Sequence, residues 1–158
     1  AGRSPKFALQ AVVASLLQSI GMLREKGGVA DRDLDPYWTC VAYFNSLREL
    51  GGAHVLMQDD VPRQMRFVAG CLGSPQRMLE EPAKELSSRV SSREIPEILL
   101  ELERTLNPDD PYAPEPVHSV LASNMISVGV DISKLAGLAW GLDRRWLIFR
   151  LADYQINC

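Results

Sequence analysis

The sequence predicts an α/β protein in which a parallel sheet is flanked by helices. Short apolar runs at 38–44, 86–90 and 117–121 have the length and residue types of buried strands. Stretches with helical periodicity lie between them. Strands separated by helices imply a parallel sheet with right-handed crossovers. At 158 residues the chain is expected to form one domain with its own core.

The first element is an amphipathic helix within residues 1–30. Its apolar residues recur at i, i+3, i+4 and i+7 spacing, and Gly27-Gly28 ends it: Leu9, Val12, Val13, Leu16, Leu17, Ile20 and Leu23. We expect this helix to supply core or interface and no chemistry. The chain begins at Ala1 rather than Met, so we also expect it to be a piece of a longer protein.

The next segment predicts a strand followed by a capped helix. Asp31 to Pro36 is a polar turn, and the strand 38–44 follows it. Ser46 and Glu49 have the Ser-x-x-Glu spacing of a capping box, so a helix begins there. Residues 51–84 mix charges with Gly and Pro and predict a partly mobile insertion.

A second strand-to-helix corner follows the weaker strand 86–90. Ser91 and Glu94 have capping-box spacing, and apolar residues from Ile95 to Leu106 mark one helical face. Residues 107–116 contain four prolines and form a stiff, exposed connector. It leads into the strand that begins at Val117.

Net charge, cysteine spacing and the length of apolar stretches each argue against certain classes of protein. The net charge of −3 argues against a nucleic-acid module held by bulk electrostatics, although not against a local basic groove. The three cysteines show no CxxC spacing, which predicts neither a metal site nor a disulfide framework and indicates a reducing cytoplasm. We judge no stretch long and apolar enough to span a bilayer, so we expect no membrane partner.

The two histidines predict no catalytic or metal-binding role. His118 lies in an apolar strand and is expected to pack there. His54 has no acidic or cysteine neighbour at metal-ligand spacing.

The loop after the strand 117–121 is the candidate functional site. Ser123 and Asn124 follow the strand, and Gly129 and Asp131 come shortly after. Ligands of open α/β sheets bind beyond the carboxyl ends of the strands. Gly129 permits close backbone approach, and Asp131 can accept hydrogen bonds from hydroxyls. The same residues also suit a turn followed by a helix cap, and that alternative stays open.

Three blocks of sequence resemble one family. Residues 122–132, Ala-Ser-Asn-Met-Ile-Ser-Val-Gly-Val-Asp-Ile, resemble motif V in the second RecA-like domain of superfamily-two helicases. Within that superfamily they are similar to the helicase component of DISARM-type antiphage defence systems. Residues 43–53 with 59–61, and residues 85–96, resemble the same family in the same order. The resemblance implies a RecA-like core over 31–135.

The resemblance also implies roles for individual residues. Four of them would contact the backbone of a nucleic acid, expected to be DNA: Ser46, Arg93, Ser123 and Asn124. Gly129 and Asp131 would face the nucleotide, with Asp131 accepting a ribose hydroxyl. Capping alone could explain Ser46, and an ordinary surface pair with Glu97 could explain Arg93.

Parts of a complete helicase are missing from the sequence. There is no Gly-x-x-x-x-Gly-Lys-Ser/Thr motif and no acidic pair to hold magnesium. By resemblance, those parts belong to a first RecA-like domain, which would share ATP and Mg²⁺ with this one. We therefore assign no catalytic residue and expect no ATP hydrolysis by this chain alone.

The tail, residues 136–158, departs from the family pattern. Its arginines at 144, 145 and 150 do not stand in the Gly-Arg pairs of motif VI. A shifted reading frame or a divergent ending would explain this. Trp140 and the apolar run 146–149 would then pack incidentally where the next strand should lie, and the sheet would be incomplete at its C-terminal end. The expected function is the second RecA-like domain of an ATP-dependent DNA helicase or translocase in phage defence. The alternative is a non-catalytic interaction module that docks on a partner, such as another defence-system protein, through its first helix and its tail.

Overall fold

The protein is described by a computed structural model that covers residues 5–79, 81–106, 109–110, 112–123 and 146–150. Its elements follow in chain order: α1 (Pro5–Glu25), α2 (Asp31–Trp38), β1 (Thr39–Phe44), α3 (Leu47–Val55), a π-helical turn (Leu56–Asp60), α4 (Val61–Leu72), β2 (Lys84–Leu86), α5 (Glu94–Leu102), β3 (Ser119–Ser123) and β4 (Trp146–Arg150).

The four strands form one parallel sheet in the order β2-β3-β1-β4. Phe44 of β1 is paired with Ser123 of β3, and Leu86 of β2 is paired with Ala122. The predicted α/β class, with helices flanking a parallel sheet, is confirmed, and the architecture is consistent with part of a RecA-like fold. Residues 146–150 form a parallel strand beside β1; the sequence had suggested incidental apolar groups packing where the next strand should lie.

The handedness of the crossovers explains which helices cover which face. The connection from β1 to β2 crosses the position of β3, and the connection from β2 to β3 runs in the opposite direction across the sheet. Right-handed connections that run in opposite directions place their helices on opposite faces. Accordingly α3 and α4 pack on one face with Leu121, while α5 packs on the other face with Val120 and Ala122.

The periodic face of α1 belongs to the larger core. Val13, Ala14 and Leu17 are buried with Met65 of α4. Lys6–Glu25 has a mean hydropathy of 1.4 over its most apolar window and is long enough to cross a membrane by length and composition alone. Our expectation that no segment meets this test was therefore wrong. Of that window, 22 % is buried inside the structure, where Val13, Ala14 and Leu17 join the core.

Most of the segment 51–84, which the sequence predicted to be a partly mobile insertion, is helix: residues 51–72 belong to α3, the π-helical turn and α4. Val61, Met65 and Ala69 stand at i, i+4 and i+8 in α4 and are all buried. Pro62 directly follows the π-helical turn and lies in the first turn of α4, where proline is tolerated. Gly73, at φ 60°, ends the helix rather than interrupting it.

Two further boundaries differ from the sequence prediction. Asp31–Trp38 is the helix α2, not a polar turn, because Leu34 and Trp38 are spaced i, i+4 and both become buried. Two acidic residues in its first turn suit the positive end of the helix dipole. The strand expected at 86–90 is instead β2 at 84–86, because the hydroxyl and charged residues from Ser87 onward form a turn.

Candidate functional site

The carboxyl ends of β1, β2 and β3 lie at one edge of the sheet, because the strands are parallel and adjacent. Each is followed by, or ends in, a hydroxyl residue. Ser123 ends β3, Ser87 follows β2, and Ser46 comes two residues after the end of β1. The pairing of Phe44 with Ser123 places the Ser46 corner beside the end of β3. We call this the carboxyl edge.

Ser123 is the most informative residue of the carboxyl edge. The residue is 2 % exposed, and its Oγ has no hydrogen-bond partner among the residues that the structure describes. A buried hydroxyl without a partner costs about 1–3 kcal/mol. Native proteins rarely leave such groups unmatched, so the hydroxyl is a candidate for contact with a ligand.

Ser46 caps α3, as the sequence predicted. Its Oγ accepts a hydrogen bond of 3.3 Å from the backbone N–H of Glu49. The hydroxyl is exposed and keeps its own proton for donation. The capping role is confirmed, and it is compatible with a ligand because the first N–H groups of a helix can face an anion.

Arg93 stands at the start of α5 and is exposed. Ser91 and Glu94 form the expected reciprocal box, with two hydrogen bonds of 3.4 Å. Within the described part of the chain, Arg93 makes no hydrogen bond or ion pair, and the surface pair with Glu97 is not formed. Its guanidinium is therefore available to a ligand. It lies in the connection that leaves the carboxyl edge after β2.

Arg48 is a further candidate that the sequence interpretation did not single out. It lies in the first turn of α3, two residues after Ser46, and is exposed. Among the described residues it too has no hydrogen bond or ion pair. Arg48 and Arg93 thus give two cations without a described partner in segments that adjoin the carboxyl edge.

Glu85 organises this part of the molecule, and nothing in the sequence indicated it. The carboxylate accepts hydrogen bonds from Ser87 and from Arg89, whose Nε and Nη2 lie 3.0 and 3.3 Å from its two oxygens. A third partner, His54 of α3, lies 2.8 Å away. Burial alone would raise the Glu85 pKa, but these hydrogen bonds outweigh burial and lower it. The network ties α3 to the turn after β2.

His118 is packed, as predicted. It is buried, its Nε2 contacts the Glu81 carbonyl oxygen, and its Nδ1 lies 2.8 Å from Ser119 Oγ. Desolvation lowers its pKa. The other three predicted site residues, Asn124, Gly129 and Asp131, lie outside the described residues, so their roles stay predictions.

The fold and the carboxyl edge define an α/β domain with a parallel sheet and a polar, arginine-flanked edge. The chain is 37 % identical over 134 residues to DISARM protein DrmA of Bacillus paralicheniformis (strain ATCC 9945a / NCIMB 11709 / CD-2). The match covers 85 % of this chain and 11 % of that protein, so the chain spans about a ninth of its relative. No family model matches the chain. The chain is thus related to a segment of a DISARM protein.

Proposed function

We propose that the chain forms part of the second RecA-like domain of an ATP-dependent DNA helicase or translocase that acts in cytoplasmic phage defence. The relation to DISARM protein DrmA supports the defence role. The parallel sheet and the three sequence blocks support the helicase role. In this proposal, a first RecA-like domain and other defence-system proteins are its partners.

The observation that carries the proposal is the buried, unpartnered Ser123 hydroxyl at the carboxyl edge. A phosphodiester oxygen would accept its proton. The N-terminus of α3, capped by Ser46, would offer backbone N–H groups to the same strand of DNA. Arg93 would add a charged contact. These groups would contact the sugar-phosphate backbone and not the bases. Such contacts are what an enzyme needs if it moves along DNA of any sequence.

The nucleotide contacts belong to the segment after Ser123. We propose that Asn124 extends the grip on the backbone. Gly129 and Asp131 would form one wall of a cleft that holds ATP and Mg²⁺ between two RecA-like halves, and Asp131 would accept a ribose hydroxyl. ATP binding would then close the halves and hydrolysis would reopen them, so that alternating grip moves the DNA.

A direct test is binding of the full chain to a fluorescently labelled single-stranded DNA, followed by anisotropy at several salt concentrations. We expect weak binding that falls as salt rises, because phosphate contacts release counterions. Arg93→Gln should lower the salt slope by about 0.7, the value for one phosphate contact on a single strand. Arg63→Gln is the control, since Arg63 of α4 is exposed but pairs with Asp60 of the preceding π-helical turn.

Ser123→Ala tests the central contact. It should weaken DNA binding by about fivefold, the effect of one hydrogen bond, without changing the salt slope. Affinity unchanged by both Ser123→Ala and Arg93→Gln would contradict the proposed grip. In a longer protein that carries this segment, Asp131→Ala should reduce ATP-driven unwinding, and unchanged unwinding would refute the nucleotide role.

The second candidate is a non-catalytic interaction module. Phe7 of α1 and Phe67 of α4 are 62 % and 66 % exposed, and their helices pack against each other. Exposed aromatic side chains on two packed helices would be points of contact for a protein partner. This candidate predicts no salt-dependent binding to single-stranded DNA, so the anisotropy experiment separates it from the helicase role.

A further inference from the structure

A cavity of about 480 Å³ opens at the amino edge of the sheet, opposite the carboxyl edge. Trp38, which directly precedes β1, forms part of its wall, and Glu115 lies shortly before β3. Arg24 of α1 and Arg77 of the loop after α4 complete the polar lining that matters here. We call this the amino-edge cavity. Nothing in the proposed helicase role uses it.

Trp38 contributes a buried aromatic ring to the wall of the amino-edge cavity. Its side chain is buried, with 3 % of the residue exposed, and within the described residues its Nε1–H has no acceptor. The guanidinium carbon of Arg77 lies 3.6 Å from the centroid of its ring, and that of Arg24 lies 5.1 Å away. Both distances allow cation–π attraction.

Arg77 is positioned by hydrogen bonds to neutral groups and forms no ion pair with a carboxylate of the described residues. Its backbone N–H donates to the Oε1 of the fully buried Gln18 at 3.0 Å, and its Nη1 donates to the Leu17 carbonyl at 3.3 Å. No carboxylate of the described residues lies within hydrogen-bond distance of its guanidinium. Burial lowers the pKa of Arg77 to about 10, so the group stays charged at neutral pH. Buried charges in proteins are normally paired.

Arg24 shows the opposite situation on the same wall. It bonds to Asp31 at 3.2 Å and to Glu115 at 2.7 Å, so two carboxylates already match its charge. The acceptors near the cavity are therefore engaged by Arg24. Arg77 is left on the cavity wall without a matching carboxylate among the described residues.

We propose that the amino-edge cavity binds a carboxylate, which the guanidinium fork of Arg77 holds while the ring of Trp38 packs against that guanidinium. A planar carboxylate matches the two parallel N–H groups of an arginine. The nearby carboxylate of Glu115 disfavours a doubly charged phosphate more than a singly charged carboxylate. The cavity is large enough for a small organic acid or for an acidic side chain of a peptide.

The test follows the indole N–H resonance of Trp38 by NMR in the full ¹⁵N-labelled chain, with Trp38→Phe to assign it. Three ligands are titrated at constant ionic strength: sodium acetate, a blocked Ala-Glu-Ala peptide and inorganic phosphate. Acetate and the peptide should shift the resonance saturably, and phosphate should bind more weakly. Equal affinity for both carboxylates assigns a small acid, and tighter binding of the peptide assigns an acidic side chain. A blocked Ala-Gln-Ala peptide that binds as well as Ala-Glu-Ala would overturn the proposal.

Variants test whether Arg77 holds the ligand. Arg77→Gln should lower carboxylate affinity at least tenfold, whereas Arg63→Gln, on the exposed side of α4, should not change it. Because Arg77→Gln could disturb the loop, Arg77→Lys provides a second test that keeps the charge and loses the fork, with an intermediate loss expected. Absence of a saturable shift in the unmodified chain, or full affinity in both Arg77 variants, would refute the site.

Discussion

His54 of α3 and Glu85 of β2 are 31 residues apart in the sequence, and a hydrogen bond of 2.8 Å joins His54 Nε2 to Glu85 Oε2. Glu85 also binds Ser87 and Arg89. One carboxylate thus holds together the helix that starts at Ser46 and the turn that leads to Arg93. If the carboxyl edge grips DNA, Glu85 sets the spacing of two of its corners.

The first prediction concerns the pH dependence of stability. Glu85 has a lowered pKa in the folded chain, so its contribution is present above the pKa of the unfolded state and is lost as pH falls through the folded value. Glu85→Gln should therefore cost about 2 kcal/mol at neutral pH. The difference from the unmodified chain should shrink below about pH 4. Urea unfolding across this range measures it, with the exposed Glu97→Gln as control. A difference that does not vary with pH would contradict the assignment.

The second prediction compares two helical glycines. A Cβ on Gly21 would lie 2.8 Å from Cβ and Cδ of Arg77, so Gly21→Ala should displace the arginine stem and cost about 1–3 kcal/mol. A Cβ on Gly70 would meet nothing within 4 Å, so Gly70→Ala should stabilise α4 by about 0.5–1 kcal/mol. Urea midpoints of the two variants should move in opposite directions. A Gly21→Ala chain that is as stable as the unmodified chain would contradict the packing of Arg77 on Gly21.

The third prediction uses two serines on one face of β3. Ser123 Oγ has no partner among the described residues, so Ser123→Ala should leave the melting temperature unchanged or raise it. Ser119 Oγ bonds to His118 Nδ1 at 2.8 Å, so Ser119→Ala should cost about 1 kcal/mol. Thermal unfolding monitored by circular dichroism compares them. A Ser123→Ala chain that melts as low as Ser119→Ala would mean that the Ser123 hydroxyl is satisfied in the free protein.

The fourth prediction concerns thiol reactivity. Cys40 is buried in β1, and burial raises its pKa to about 12, whereas Cys71 is exposed on α4. Since the thiolate is the reactive form, iodoacetamide at neutral pH should label Cys71 and spare Cys40 until the chain is unfolded. Peptide mass spectrometry after a short exposure distinguishes the sites. Rapid labelling of Cys40 in the native chain would show that β1 is accessible.

Local patterns in the sequence were enough to predict several elements. The stripe in α1, the strand before Asn45 and the serine caps at Ser46 and Ser91 all depend on residues within a few positions of one another. Interactions between residues so close in the chain can be predicted from sequence spacing alone. The helix α4 was missed because Gly70 and Gly73 were taken as breakers, although Gly70 is tolerated inside the helix and Gly73 ends it.

The sequence by itself determined the α/β class, the parallel strands and the position of Ser123 at the end of one of them, because periodicity and chain order carry that information. Only the tertiary structure decided that Glu85 accepts hydrogen bonds from His54 and Arg89. It also decided that Arg77 packs on the ring of Trp38, and that the Ser123 hydroxyl is buried without a partner among the described residues. Pairs such as His54–Glu85 and Trp38–Arg77 join residues distant in the chain, and burial depends on every element that packs around a group. No local sequence pattern specifies such distant pairs or the burial of a group.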